Sequence, residues 1–194
     1  MTIRNYQVRT VWRVAGTVGE VIPVLDDVQA LPRWWPSVYL AVTGLAEGGV
    51  DGAVDGVGRR VHMRTTGWLP YTLQWESVLC EPITEHGFAL TAEGDLNGTG
   101  RWTFEQDGPE VVLTFDWRVS AGKPLVRRLG WLFKPLFTAN HRWAMARGEE
   151  SLRLELRRRR AGTPTTAGAI PSPPGPTFGI SCHGERELTA LDQR

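Results

Sequence analysis

At 194 residues, 41% of them hydrophobic, the chain can bury one substantial core and is short for two. A formal net charge of +1 excludes the global field that would draw nucleic acid or a membrane surface. The charge is nonetheless uneven: residues 1–122 hold 9 Lys/Arg against 15 Asp/Glu, and residues 123–160 hold 11 against 3. A basic segment therefore follows an acidic body, and pairing between the two explains this more simply than an anionic partner does.

Cys80 and Cys182 give neither zinc-ligand spacing nor a disulfide framework, which fits a reducing compartment. The N-terminal MTIRNYQVRTVWRV lacks the apolar core of a signal peptide, and no run is long enough to span a bilayer. The expectation is a soluble cytoplasmic protein with no stable membrane insertion and no nucleic-acid partner. GxSxG, P-loop, GxGxxG and HExxH motifs are absent, so no metal or cofactor is expected.

Taken in order, Tyr6 to Val14 reads as a half-buried strand ending at Gly16. Thr17 and Glu20 have capping-box spacing ahead of a short helix that must accommodate Pro23. A second helical piece, Gln29 to Trp35, closes at Pro36. Adjacent Trp34 and Trp35 cannot share one helix face, which predicts that at least one is partly open. Six strands follow, at Val38–Ala46, Arg59–Thr66, Tyr71–Glu81, Gly87–Asn97, Gly100–Gln106 and Val111–Ser120. Their turns are signposted by EGGVDGAVDGVG, Gly67 to Pro70, Asn97-Gly98 and Asp107-Gly108-Pro109. Connections this short make neighbours antiparallel, giving a seven-stranded meander with the first strand included.

From Lys123 to Arg160, Leu125, Leu129, Leu132, Leu136, Trp143, Ala146 and Leu154 keep helical spacing. Pro135 inside that pattern predicts a kink or a break into two helices. Arg157 to Arg160 suit a helix C-terminus, with Gly162 and Pro164 as the stop. Residues 161–194 are rich in Pro, Gly, Thr and Ser and read as a disordered tail, in which HGERELTALDQR could form a transient helix. The domain division is thus 1–160 and 161–194.

The element order, with LPRWWPSV, YTLQWE, GDLNGTGRWTF and FTANHRWAMARGEESLRLEL, resembles the helix-grip fold of START-related and birch-pollen-allergen-like proteins. Within that SRPBCC superfamily the chain looks like members of the polyketide cyclase/dehydrase type. The resemblance spans residues 3 to about 160. It implies an α+β fold, a curved antiparallel sheet wrapped around a long C-terminal helix, and an apolar ligand cavity between them; it does not name a reaction.

Alternation puts Val111, Leu113, Phe115, Trp117 and Val119 on the inward face. Leu73, Trp75 and Ser77, then Phe88, Leu90, Ala92 and Gly94, then Val61, Met63 and Thr65 join them. Phe133, Phe137, Asn140 and Met145 are the helix-side candidates, with Trp34 and Trp35 beside them. Any one of these can simply fill a dry core, but nine tryptophans supply rigid walls suited to flat or greasy ligands. His141 is the sharpest polar candidate, as an acid or base in the pocket or as a histidine fixing helix to strand. His62 alternates with Arg60 and Arg64 on the solvent face; a one-residue slip would bring His62 and Arg64 inward as carboxylate or oxyanion binders. Glu76, Glu93 and Asp116 are expected to point outward and pair with Arg101 or Arg118.

Three functions compete. The first is binding of an apolar small molecule such as an acyl chain, polyketide-like aromatic or isoprenoid. The second is a cofactor-independent cyclase or dehydratase using His141 and Arg64. The third is a protein-partner module through the basic helix.

Overall fold

The computed structural model describes residues 6–46, 56–121 and 130–178. Strand β1 (Tyr6–Ala15) leads through Gly16 into helix α1 (Val18–Asp26), a 3-10 turn (Val28–Ala30) and helix α2 (Leu31–Trp34). Six strands follow, β2 (Tyr39–Ala46), β3 (Arg60–Thr66), β4 (Thr72–Thr84), β5 (Gly87–Gly94), β6 (Leu96–Asp107) and β7 (Glu110–Ala121). The long helix α3 (Gly130–Arg160) and a one-turn helix α4 (Pro164–Gly168) complete the order. The strands form one curved antiparallel sheet in the order β1-β7-β6-β5-β4-β3-β2, so the first strand closes against the last.

The local signals explain most of this. Thr17 caps α1 by accepting from the Glu20 N–H at 3.3 Å, while the Glu20 carboxylate accepts from the Thr17 N–H at 2.8 Å. Glu20 also receives Arg160 from the end of α3 at 2.7 and 3.0 Å. Those bonds, with the Thr17 amide, hold its carboxyl down to about 2. One residue thus caps the first helix and anchors the last.

Four expectations are corrected. Of the kink or break expected at Pro135, the break does not occur, and one helix runs from Gly130 to Arg160; Leu125 and Leu129 lie outside the described residues. The hairpin after β5 turns at Gly94–Leu96 instead of Asn97-Gly98, because Gly98 pairs with Ala92 and Val119 inside the sheet. Asp95 fixes that turn by accepting the Gln74 N–H at 2.9 Å. Trp34 and Trp35 are both buried, since Trp35 leaves helical geometry at φ −128, ψ 54 and its ring turns inward alongside its neighbour's. On the outer face, Asp116 pairs with Arg9 and Glu76 with Arg60, each at 2.9 Å, and Glu93 reaches Arg60 at 3.6 Å. Arg101, directly opposite Asp116, reaches instead across Ala89 to Glu81.

Helix α3 does two jobs along its length. Its C-terminal half covers a dry core in which Val14, Val21, Val24, Trp34, Val111, Leu113 and Leu152 are wholly buried. There Arg33 from α2 forks onto Glu155 at 2.8 and 3.0 Å, and Arg159 adds a bond at 3.0 Å. Burial pushes the Glu155 carboxyl up, but the Arg33 and Arg159 bonds outweigh it and the net direction is down. With Arg153 on Glu149 and the Arg13 carbonyl, and Arg160 on Glu20, much of the helix's positive charge is committed within the chain. Beyond it, Thr163 and Thr166 cap α4, and Arg158 holds the Pro171 carbonyl.

Candidate functional site

The N-terminal half of α3 roofs a cavity of about 470 Å³ above the concave face of the sheet. Period-two alternation builds its floor, because every inward position of β3, β4 and β7 near the centre is large or small-polar. The rings run across strands: Trp12 lies 4.9 Å from Trp102, Trp102 stacks on Phe115 at 4.5 Å, Phe115 on Trp117 at 5.4 Å, and Trp117 faces Trp75 at 6.1 Å. Gly100 makes room for this ladder, since a Cβ there would sit 2.8 Å from the Trp117 ring. The Trp75 indole N–H is satisfied by Thr65 Oγ1 at 3.1 Å.

Of the residues singled out from the sequence, the structure brings Trp35, Met63, Trp75, Leu90, Phe115, Trp117, Phe137, Asn140, His141 and Met145 onto one cavity wall. Trp34 is not among them, being sealed in the dry core. Arg64 alternates outward from Met63 and Thr65 and lies off the cavity, so the one-residue slip that would admit it does not occur. Phe133 belongs to α3, but its side chain falls outside the described residues.

One end of the cavity is polar. His141 sits one helical turn after Phe137, with Nε2 3.4 Å from Thr10 Oγ1. Burial pushes its pKa down to about 4, so the imidazole is neutral at pH 7. Phe137 is flanked by Tyr6 and Tyr71, with ring centroids at 6.0 and 6.3 Å. The Tyr71 hydroxyl is buried without a hydrogen-bond partner, and burial raises the phenol to about 12. Asn140 ties the β3–β4 hairpin to α3 by accepting the N–H groups of Trp68 at 3.0 Å and Leu69 at 3.4 Å. Tyr71 is absent from the sequence-derived candidates, although it keeps the inward spacing of Leu73 and Trp75; extending that alternation by one step would have found it. Tyr6, Tyr39 and Arg59 also line the cavity, and Arg59 is held by Asp26 at 2.8 Å.

A long helix gripped by a curved seven-stranded sheet, with an apolar hollow between, defines the helix-grip class of the SRPBCC superfamily. Residues 6–157 match the family described as polyketide cyclase / dehydrase and lipid transport, and the chain belongs to that family. No curated protein matches the chain. Among solved structures it is similar to the Zhui aromatase/cyclase from Streptomyces sp. R1128, with a TM-score of 0.61 at 17% identity over 82% of this chain and 98% of that one. A protein from Thermus thermophilus gives a TM-score of 0.60 at 14% identity over 80% of this chain and 100% of that one. Norcoclaurine synthase from Thalictrum flavum, in complex with dopamine and hydroxybenzaldehyde, gives 0.54 at 15% identity over 82% and 90%. At these identities the likeness speaks for the fold alone.

Proposed function

We propose that the chain binds an apolar small molecule, of lipid, polyketide-like or isoprenoid type, in the cavity beneath α3. The observation that carries this reading is a hollow of about 470 Å³ walled by four indoles and roofed by helix side chains, within the size range of small-ligand sites. Four of the chain's tryptophans, Trp35, Trp75, Trp102 and Trp117, report on its contents. Displacement of an apolar dye, followed by tryptophan emission and by native mass spectrometry of the purified protein, tests the proposal. Failure of every apolar probe to bind overturns it.

A cyclase or dehydratase activity is the second reading, supported by the family description and by His141 on the wall. A base works best with a pKa near the working pH. At about 4, His141 is unprotonated at pH 7 but a poor proton acceptor, which favours binding over proton abstraction. Under the second reading, His141→Ala abolishes turnover of a reactive polyketide chain; unchanged turnover removes His141 from the chemistry.

A further inference from the structure

We propose that Trp35 is the partition between the cavity and the dry core, and that its indole sets the longest apolar ligand the hollow accepts. The inference rests on the cavity-binding reading above and adds to it the residue that limits ligand length.

The four indoles on the cavity wall differ in what stands behind them. Trp75, Trp102 and Trp117 rise from β4, β6 and β7, so the hydrogen-bonded sheet itself lies beneath them. Trp35 comes instead from the turn after α2, and its neighbours are side chains: Trp12, Trp34 and Tyr39, with ring centroids at 5.4, 5.6 and 5.1 Å. Tyr39 shares the cavity wall, whereas Trp12 and Trp34 lie off it, at 1% and 0% exposure. On the helix side the ring meets the backbone at Gly148, where a Cβ would stand 2.6 Å from Trp35 Cε2. Trp35 thus has the hollow on one side and packed core on the other. Because it is itself buried, shortening it opens the hollow inward and not to solvent.

Volume is what the ring contributes there. Its Nε1–H is buried and makes no hydrogen bond, so truncation breaks none. The groups behind it are slow to fill the vacated space, since Trp12 lies against Trp102 at 4.9 Å and Trp34 is sealed in the core. Each methylene that a ligand buries raises affinity about fourfold, while carbons for which the hollow has no room add nothing. Affinity along a homologous series therefore climbs and then levels, and the chain length at which it levels reports the depth in front of Trp35.

The test uses the full chain at pH 7 and linear alcohols from 1-hexanol to 1-tetradecanol, titrated by displacement of an apolar dye. Trp35→Leu frees about 60 Å³, room for about two methylenes, and Trp35→Ala frees about 140 Å³, room for about four or five. The levelling length should move out by about two carbons in Trp35→Leu and further in Trp35→Ala. An alcohol two carbons beyond the parent's limit should bind Trp35→Leu about tenfold more tightly than it binds the parent. Trp34→Leu is the control: it removes the same ring one position away, off the cavity, and should lower thermal stability without moving the levelling length. Should the larger truncations fail to fold, Trp35→Phe decides, with room for about one methylene and a shift of one carbon. A parent whose affinity climbs through the whole series overturns the inference, as does a levelling length that stays put in the Trp35 variants or moves equally in Trp34→Leu; in each case the cavity-binding reading stands. If no alcohol binds the parent, that reading falls and this inference falls with it.

Discussion

Replacing the glycine at 148 tests the joint between α3 and the tryptophan cluster. In an ordinary helix interior, Gly→Ala stabilises by about 0.5–1 kcal/mol, because glycine has more backbone freedom to lose. At position 148 a Cβ would stand 2.6 Å from Trp35 Cε2 and 2.7 Å from Trp12 Cζ2, where carbon contacts prefer about 3.5–4.0 Å. Trp12 is closely held, and Trp35, although it borders the cavity, is flanked by other rings. Trp12 is 1% exposed and lies against Trp102 at 4.9 Å, while Trp35 is wedged between Trp34 and Tyr39 at 5.6 and 5.1 Å. An overlap of about 1 Å on two buried rings falls at the upper end of overpacking costs, about 3 kcal/mol. Less the helix gain, Gly148→Ala should lose about 2 kcal/mol, or about 4–8 °C in Tm for a chain of this size. Urea unfolding followed by tryptophan emission measures it, with Gly162→Ala as the control because nothing lies within 4 Å of a Cβ there. A Gly148→Ala protein as stable as the parent, or more so, would show that the indoles do not rest on this turn.

Asn140→Leu should cost about 1–3 kcal/mol, since the Trp68 and Leu69 N–H groups lose their acceptor; hydrogen exchange at those two amides should accelerate more than exchange along β7. At Glu155 the buried member is the acid, at 2% exposure, while Arg33 is largely in water. The double variant Arg33→Met with Arg159→Met leaves the carboxylate only Arg158, at 4.0 Å, and should therefore cost about 3 kcal/mol, more than Glu155→Gln at about 1–2 kcal/mol; denaturant titration giving the opposite ranking refutes the clamp. His141 gives a pH signature. Its folded pKa of about 4 lies below the ordinary 6.5, so the unfolded chain takes up the proton first and stability falls as pH drops from about 6.5 to about 4. That contribution reaches about 3 kcal/mol and should vanish in His141→Phe, as pH-dependent chemical denaturation of the two proteins would reveal.

Much of the fold was legible because it rests on short-range rules. Period-two alternation put Met63, Trp75, Phe115 and Trp117 on the inward face, and the Thr17–Glu20 spacing marked the start of α1. What stayed hidden depends on contacts distant in sequence. Asp116 takes Arg9 because β1 returns to lie beside β7, and no local pattern announces that Arg9 stands opposite. Asn97-Gly98 is a strong turn signal, yet the turn falls at Gly94–Leu96, where Asp95 reaches back to β4. Trp35 turns inward through one backbone angle past the end of α2. Asn140 meets the Trp68 and Leu69 amides of the Gly67–Pro70 hairpin, a proximity that exists only once the helix is laid on the sheet.

The cavity raises an energetic question that its walls answer. If about 470 Å³ of apolar space carried the penalty measured for voids left by truncated core residues, the cost would be on the order of 10 kcal/mol, comparable with the whole stability of a domain. Collapse is resisted because the floor is a continuous hydrogen-bonded sheet bearing stacked rings and the roof is half of a helix whose other half is locked in a dry core. Water finds few hydrogen-bond partners among Met63, Leu73, Leu79, Phe88 and Val119. A guest that covers those side chains relieves part of the penalty, and the relief is expressed as affinity for the folded chain, since unfolding destroys the hollow. At 100 times its Kd, such a ligand stabilises by about 2.7 kcal/mol, worth roughly 5–10 °C in Tm. An apolar probe that binds the native protein yet shifts Tm by less than about 2 °C at that saturation would be holding the unfolded chain nearly as well, and the hollow would not be what retains it.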